Sequence, residues 1–144
     1  MNQQSHLHPE FDWQLQGLRD WLISREYHLA LNAMDFAGTF YNGVRKDGYS
    51  PAFSHPLAVA CNVKKVSDCL VYPEESLCAA FLHDVCEDFS VSVDCLEARF
   101  GYRVAEAVWI LTKKYRGWNK TAIDYYQHIA LDPIASVVKT ADRG

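Results

Sequence analysis

The sequence predicts an all-α domain, and three observations support this prediction. Apolar residues recur at intervals of three and four along most of the chain, which is the spacing of one face of a helix. Proline, glycine and other turn-forming residues stand between these stretches. We find no convincing alternation of apolar and polar residues, the pattern typical of a half-buried strand. With 144 residues and a 49% hydrophobic composition, the chain can bury one core and is predicted to form one domain.

Two helices are predicted before residue 42. Residues 1–10 are expected to form a flexible tail, after which Asp12 is suitably placed to cap the first helix. The apolar stripe of this helix consists of Trp13, Leu15, Leu18, Trp21 and Leu22. A second helix is expected over about residues 27–41, because its apolar residues keep the helical spacing. Residues 42–51 are rich in turn formers and are predicted to form a loop.

Proline residues mark where the next helices begin. Pro56 suits the first position of a helix, which would place His55 at the cap of that helix. Pro73 breaks the chain, and the two glutamates after it favour the start of a helix that is predicted to reach Asp84 or Val85. Further helices are expected over about residues 92–101, 102–113, 121–131 and 134–142.

The composition argues against several classes of protein. A net charge of −4 disfavours a broad nucleic-acid surface, which needs clustered lysines and arginines, but it allows a small anionic substrate. Five cysteines are an odd number without a C-x-x-C pair, which favours reduced thiols over a disulfide scaffold or a zinc ribbon. No segment resembles a signal peptide or reaches membrane-spanning length. We therefore expect a cytoplasmic protein without a membrane partner, and the sequence leaves its oligomeric state open.

The most informative segment is AFLHDVCED at residues 80–88. Four ionisable side chains fall within six positions of an apolar helical run, namely His83, Asp84, Glu87 and Asp88. Burying such groups is costly unless a metal or a reaction requires them. Two further residues complete a set of metal-binding types: His55 lies about 28 residues before His83, and Asp142 lies about 58 residues after Asp84.

Two imidazoles and two carboxylates suit a cation such as Mn²⁺, Zn²⁺ or Fe²⁺, whereas Mg²⁺ and Ca²⁺ prefer oxygen ligands alone. Such a cation lowers the pKa of bound water and polarises a phosphoryl group. Glu87 and Asp88 follow one helical turn later, close enough to orient that water or to carry its proton. Taken singly, a histidine is more often structural, and an acidic pair is more often an exposed helix end. The other histidines stay in this structural or surface class, namely His6, His8, His28 and His128.

Six collinear segments together resemble the HD phosphohydrolase superfamily, whose signature is a His…His-Asp…Asp set on a helical bundle. Within the superfamily, the chain is most similar to the (p)ppGpp hydrolase domain of the RelA/SpoT enzymes and to their small single-domain relatives. The similar segments extend over about 100 residues and comprise RKDG at 45–48, HPLAVA at 55–60, AAFLHDVCED at 79–88, FG at 100–101, LTK at 111–113 and VKTADR at 138–143.

The resemblance implies an HD-domain helical bundle over residues 11–144. It implies that one Mn²⁺, or another divalent transition metal, is bound by His55, His83, Asp84 and Asp142. It further implies that the attacking water is served by Glu87 and Asp88. The nucleotide base or its phosphates would be contacted by Arg45 and Lys46, and a guanidinium is suited to both tasks. The reaction of the family removes pyrophosphate from the 3′ position of (p)ppGpp and leaves GDP or GTP.

Three departures from the family pattern keep other hypotheses open. The loop from Arg45 to His55 is one residue longer than usual and contains SPAF at 50–53 instead of Pro-Tyr, and Phe89 stands where threonine is common. The family continues beyond the position of Gly144 with a helix whose asparagine holds the nucleotide, so we expect either a fragment or a domain with an open pocket. The alternatives are another HD nucleotide phosphatase or phosphodiesterase, and a non-catalytic nucleotide-binding module.

Residues 113–120 are predicted to form a loop that combines basic and aromatic side chains, namely Lys113, Lys114, Tyr115, Arg116, Trp118 and Lys120. Such a patch could bind nucleic acid through stacking and phosphate contacts. It is too short and isolated for us to prefer that interpretation over a loop that helps to bind an anionic nucleotide tail, or over a solvated turn. The expected partner is therefore a small nucleotide substrate, and nucleic acid is disfavoured.

Overall fold

The computed structural model describes residues 8–143, and the all-α prediction is confirmed. Most of the predicted tail, including His6, lies outside the described residues. The α-helices are α1 (Pro9–Ser24), α2 (His28–Phe40), α3 (Ser54–Lys65), α4 (Pro73–Leu82), α5 (Val85–Phe89), α6 (Val93–Phe100), α7 (Tyr102–Leu111), α8 (Ala122–Leu131) and α9 (Pro133–Arg143). A short 3₁₀ helix (Ser67–Cys69) follows α3. In this part of the chain, none of the helices combines the length and the apolar character needed to cross a membrane.

Helix α4 is the central element of the fold. Every residue from Ser76 to Leu82 is buried, as expected for a helix whose sequence is apolar on nearly all sides. Helices α2, α3, α7 and α9 pack around it. The side chains of Leu77, Phe81 and Leu82 are fully buried in the core. The residues that directly follow α4 therefore leave the core at a position that the surrounding helices fix.

Glu74 links the start of α4 to the start of α2. Its Oε2 accepts hydrogen bonds from the backbone N–H groups of Leu29 at 2.9 Å and Ala30 at 3.2 Å. The first N–H groups of a helix have no partner inside the helix, so a carboxylate from a neighbouring element stabilises them. The glutamate that the sequence assigned to the start of its own helix thus also caps a second one.

The first and third helices begin earlier than predicted. Helix α1 begins at Pro9, where the missing N–H of proline costs nothing, and Asp12 lies in its first turn rather than at its cap. Helix α3 begins at Ser54, so His55 lies inside the first turn instead of capping it. The prediction failed because Pro56 is tolerated throughout a first turn, not only at its first position.

The prediction that the fourth helix reaches Asp84 or Val85 is wrong by two or three residues. Helix α4 ends at Leu82, and the backbone of Asp84, with φ −109° and ψ 1°, leaves the helical region before α5 begins. His83 and Asp84 therefore form the break between two helices and do not lie on one continuous helix. This break lets two adjacent side chains turn towards each other.

Residues 113–120 contain a hairpin that the sequence analysis missed. Strand β1 (Lys114–Tyr115) pairs antiparallel with β2 (Trp118–Asn119). The two turn residues, Arg116 and Gly117, have φ values of 49° and 84°, and a two-residue hairpin with positive φ at both positions matches the twist of the strands. Strands of two residues are too short to show an alternating pattern, which explains why none was recognised.

Truncation of the central helix tests how much stability α4 contributes. We expect Leu77→Ala to lower the free energy of unfolding by about 2 to 5 kcal/mol, because it removes a fully buried side chain and leaves a cavity. Leu131→Ala is the matched control, since Leu131 is 82% exposed, and should change stability by less than about 0.5 kcal/mol. Urea unfolding monitored by circular dichroism measures both, and equal losses would contradict the central position of α4.

Candidate functional site

His83 is held by the end of the central helix. Its ring is only 4% exposed, and Nδ1 lies 2.7 Å from the carbonyl oxygen of Ala80. A carbonyl can only accept a hydrogen bond, so Nδ1 carries the proton and a neutral ring presents a lone pair at Nε2. Among the described residues, this buried Nε2 has no hydrogen-bond partner. Its neighbour at 3.1 Å is Oδ2 of Asp84, which is close enough for an ion pair but lacks hydrogen-bond geometry.

Four predicted residues from three parts of the chain converge at this point. His55, His83 and Asp84 each offer a ligand atom, and these atoms lie within 4.8 Å of one another. Asp142, in the last turn of α9, adjoins this group through a contact of 3.0 Å between its Oδ1 and Nε2 of His55. The packing of α3 and α9 against α4 brings these side chains together. We call these four residues the His-Asp cluster.

The His-Asp cluster requires positive charge. Two imidazole nitrogens each face a carboxylate oxygen at about the distance of direct contact, and two lone pairs repel each other unless a proton or a metal ion lies between them. Burial alone would lower the pKa of His83, but the interaction with the Asp84 carboxylate outweighs it and raises the pKa. Burial likewise acts to raise the pKa of Asp84, and His83 overcomes it and lowers the pKa. The orphaned Nε2 and the mixed nitrogen and oxygen donors fit a divalent cation of the Mn²⁺, Zn²⁺ or Fe²⁺ type.

Glu87 lies beside the His-Asp cluster, but one of its oxygens is already engaged. Oε1 accepts hydrogen bonds from the backbone N–H groups of Lys113 at 2.9 Å and Lys114 at 3.1 Å, at the base of the hairpin. The side chain lines a small cavity of about 190 Å³ together with His83, Asp84 and Asp142. Glu87 therefore fixes the hairpin next to the cluster, a structural task that the sequence analysis did not foresee.

Asp88 faces a different and larger cavity. This cavity of about 640 Å³ is also lined by Arg45, Lys46, His55 and Asp84, so the structure brings both predicted cations to the same opening as two members of the cluster. Burial raises the pKa of Asp88, and the nearby negative charges of Asp84 and Glu87 add to this. Glu87 and Asp88 are therefore adjacent in the sequence but line different cavities.

Tyr41 is a site residue that the sequence analysis missed. Its hydroxyl donates a hydrogen bond to Oδ2 of Asp88 at 2.8 Å, and the ring lines the larger cavity. Burial raises the pKa of Tyr41, and the hydrogen bond to Asp88 raises it further. The hydrogen bond has the opposite effect on Asp88, whose pKa it lowers. The only sequence signal was a tyrosine at the end of α2, directly before the basic loop.

The loop that carries Arg45 and Lys46 is organised by Asp47. The carboxylate of Asp47 accepts hydrogen bonds from the N–H groups of Tyr49 at 2.8 Å and Ser50 at 2.9 Å, and from the Ser50 hydroxyl at 2.6 Å. These bonds, led by the one from the Ser50 hydroxyl, lower the pKa of Asp47 to about 2. Gly48, at φ 73°, supplies the left-handed residue that this turn requires. The two cations are therefore presented on an ordered turn.

Two comparisons within the molecule delimit the site. His8, His28 and His128 are not part of the metal-compatible group of described residues, and their structural or surface role stays a prediction. A further cavity of about 740 Å³ lies between α7, the hairpin and α8, and its lining includes none of the predicted site residues. Lys139, three residues before Asp142 on α9, lines the small cavity and was not recognised as a site residue. Its spacing of one helical turn from Asp142 was the available signal.

Comparison with known proteins finds relatives whose names describe the hydrolysis of (p)ppGpp. The chain is 29% identical to the bifunctional (p)ppGpp synthase/hydrolase SpoT of Escherichia coli K12 over 139 residues, covering 90% of this chain and 17% of SpoT. It is 32% identical to a probable guanosine-3′,5′-bis(diphosphate) 3′-pyrophosphohydrolase of Synechocystis, covering 80% of this chain and 16% of that protein. It is 31% identical to the guanosine-3′,5′-bis(diphosphate) 3′-pyrophosphohydrolase of Aquifex aeolicus, and the match covers 77% of this chain and 16% of that protein.

The chain spans only about one sixth of the length of these curated relatives. The similarity therefore concerns one region of larger proteins. The HD domain family matches residues 33–116, which is more than half of the chain and includes both histidines of the cluster. The chain therefore belongs to the HD domain family and is related to the RelA/SpoT hydrolases.

Proposed function

We propose that this domain is a metal-dependent phosphohydrolase that removes the 3′-pyrophosphate from (p)ppGpp-like guanosine nucleotides. The observation that carries the proposal is the His-Asp cluster, in which a buried and unpartnered Nε2 of His83 faces a carboxylate beside an open cavity. The named activity of the relatives supports the choice of substrate. A cytoplasmic location stays a prediction.

Four side chains would hold the metal, which we propose to be Mn²⁺, namely His55, His83, Asp84 and Asp142. When bound, the ion would lower the pKa of a water molecule and polarise the phosphoryl group. The hydrogen bond from His83 Nδ1 to Ala80 fixes the ring so that Nε2 stays available to the ion. Chelation should therefore remove activity, and Mn²⁺ should restore it.

The acids and cations around the cluster have separate tasks in this proposal. Arg45 and Lys46 would bind the nucleotide in the larger cavity, whose volume of about 640 Å³ is within the range of ligand pockets. Asp88 would accept the proton of the attacking water, since Tyr41 holds one of its oxygens and leaves the other for that role. Water adds to the phosphorus, the bond from phosphorus to the 3′ oxygen breaks, and the 3′ oxygen takes up the proton that left the water, a transfer in which Glu87 would take part.

A second candidate is hydrolysis of a different nucleotide by the same cluster. It is favoured by the loop between Arg45 and His55, which departs from the family pattern and has its own turn built on Asp47. A panel of nucleotides incubated with the protein and Mn²⁺ separates the two candidates by phosphate and pyrophosphate detection. Release of pyrophosphate and GDP from ppGpp supports the proposal, and intact ppGpp with turnover of another nucleotide supports the alternative. No turnover with any divalent metal would indicate a non-catalytic binding module.

Loss of one cluster residue should remove both the metal and the activity. We expect Asp84→Ala to bind Mn²⁺ at least ~10-fold more weakly and to show no measurable hydrolysis, because Asp84 contacts His83 and adjoins both cavities. Asp94→Ala is the control, since Asp94 is exposed in the first turn of α6 and lines neither cavity. Metal content after gel filtration measures the effect. Full metal occupancy in Asp84→Ala would contradict the assigned role.

Two substitutions at Glu87 separate its chemical role from its structural one. Glu87→Ala should keep the metal and lose ~100-fold or more in turnover, the usual size of a general acid–base contribution. Glu87→Gln keeps an oxygen that can accept the hydrogen bonds from Lys113 and Lys114 but has no titratable carboxylate. A comparable loss in both variants supports a proton-transfer role. Retained activity in Glu87→Gln would show that Glu87 only holds the hairpin.

Removal of the Tyr41 hydroxyl should alter the pH dependence of the reaction. The hydrogen bond from Tyr41 lowers the pKa of Asp88, so Tyr41→Phe should raise that pKa and shift the acid limb of the kcat/KM profile to higher pH. The loss at neutral pH should be about tenfold, equivalent to one hydrogen bond to a charged group. Tyr102→Phe, on an exposed side chain outside both cavities, is the control. An unchanged acid limb in Tyr41→Phe would contradict the proposed role of Asp88.

A further inference from the structure

Three cations converge on two tyrosine rings next to the small cavity. The Nζ atoms of Lys113 and Lys139 lie 5.0 Å and 5.3 Å from the ring centre of Tyr125, and 5.9 Å and 6.0 Å from that of Tyr126. The guanidinium of Arg143 lies 5.8 Å from the Tyr126 ring and donates a hydrogen bond to its hydroxyl at 3.4 Å. These residues come from the start of the hairpin, from α8 and from α9.

Within the described residues, no carboxylate is in direct contact with this cation cluster, although three carboxylates line the same small cavity. Within residues 8–143, none of the three cations forms an ion pair, although Lys139 lies one turn from Asp142 on α9. The tyrosines offer the weakly negative faces of their rings and their neutral hydroxyl oxygens, and the Tyr125 hydroxyl accepts a hydrogen bond from Nζ of Lys139 at 3.4 Å. The positive field is evident at Tyr126, whose pKa is lowered first by Lys113 and further by Arg143 and Lys139. Like charges gathered this closely repel each other, so an anion that binds directly among them gains free energy.

The small cavity is lined by residues of both clusters. Its lining includes Lys113, Lys139 and Tyr125 together with His83, Asp84, Glu87 and Asp142. Its volume of about 190 Å³ is below the range of pockets for drug-sized ligands, which is roughly 300–1,000 Å³. It suits a phosphate or pyrophosphate group better than a nucleoside. Asp84 lines both cavities, so the His-Asp cluster lies between a large cavity with two cations and a small cavity with two others.

We propose that Lys113 and Lys139 form a phosphate-binding subsite in the small cavity, which holds the pyrophosphate end of the substrate while the nucleoside occupies the larger cavity. This inference rests on the proposed function and adds the direction in which the substrate lies. The ammonium groups act as point charges for phosphate oxygens, and Arg143 extends the positive surface at the outer edge. After the bond from phosphorus to the 3′ oxygen breaks, pyrophosphate stays in the subsite and the nucleotide leaves from the larger cavity.

Binding measurements in a non-hydrolysing background test the subsite. In the Asp88→Asn protein with Mn²⁺, calorimetry compares the affinities for ppGpp and for GDP, which lacks the 3′-pyrophosphate. We expect Lys113→Met and Lys139→Met each to weaken ppGpp binding about tenfold or more and to leave GDP binding unchanged. Lys65→Met is the matched control, because it removes an exposed lysine at the end of α3 that lines neither cavity. Lys139→Arg keeps the charge and should retain most of the affinity.

The outcomes separate this inference from the proposed function. Parent-like ppGpp affinity in both methionine variants would overturn the subsite, as would an equal loss of GDP affinity or an equal effect of Lys65→Met. If the parent protein does not hydrolyse ppGpp, the proposed function fails, and the subsite is judged by titration with inorganic pyrophosphate in metal-free buffer. Weaker pyrophosphate binding by Lys113→Met than by the parent then supports the subsite, and equal binding refutes it.

Discussion

The candidate site depends on one electrostatic constraint, namely that His83 and Asp84 present lone pairs to each other and need a shared positive charge. The constraint arises because Ala80 fixes the proton on Nδ1 and because the ring is buried with no hydrogen-bond partner for Nε2 among the described residues. At the end of an isolated helix, the histidine side chain could rotate away from the carboxylate. Here α4 is enclosed by other helices, so the imidazole cannot move without disrupting the core. The same enclosure brings His55 and Asp142 into contact from α3 and α9.

The adjacent acids Glu87 and Asp88 show how one short helix separates two tasks. Each carboxylate is oriented by a different distant partner: the hairpin backbone holds Glu87, and Tyr41 holds Asp88. Since neighbouring side chains on a helix point about 100° apart, the two acids reach cavities on different sides of the His-Asp cluster. A single base next to the proposed metal ligands would not need two acids that line different cavities. The presence of two such acids is consistent with a substrate that extends across the cluster and has contacts in both cavities.

The features that could be predicted from the sequence are those that depend on local spacing and residue type. The helix pattern and the set of His55, His83, Asp84 and Asp142 follow from periodicity and from the cost of burying charge, together with the family resemblance. The contacts that complete the site were not predictable, because they join residues far apart in the chain: Tyr41 and Asp88 are separated by 47 positions, and Glu87 and Lys113 by 26. The helix break at Asp84 was missed for a related reason. Its sequence is compatible with a continuous helix, and the departure of one residue from helical geometry carries no local signal.

The proposed nucleotide contacts and the proposed metal site are built on different kinds of structure in this domain. The His-Asp cluster depends on three helices packed in the core, so most changes there would also affect folding. The turn that carries Arg45 and Lys46 is instead shaped by its own short-range bonds to Asp47 and by Gly48, outside the core. Such a turn can vary in length and sequence without moving the residues of the His-Asp cluster. Under the proposed function, the departure from the family pattern between Arg45 and His55 would affect which nucleotide enters the larger cavity, while the chemistry at the cluster stays the same.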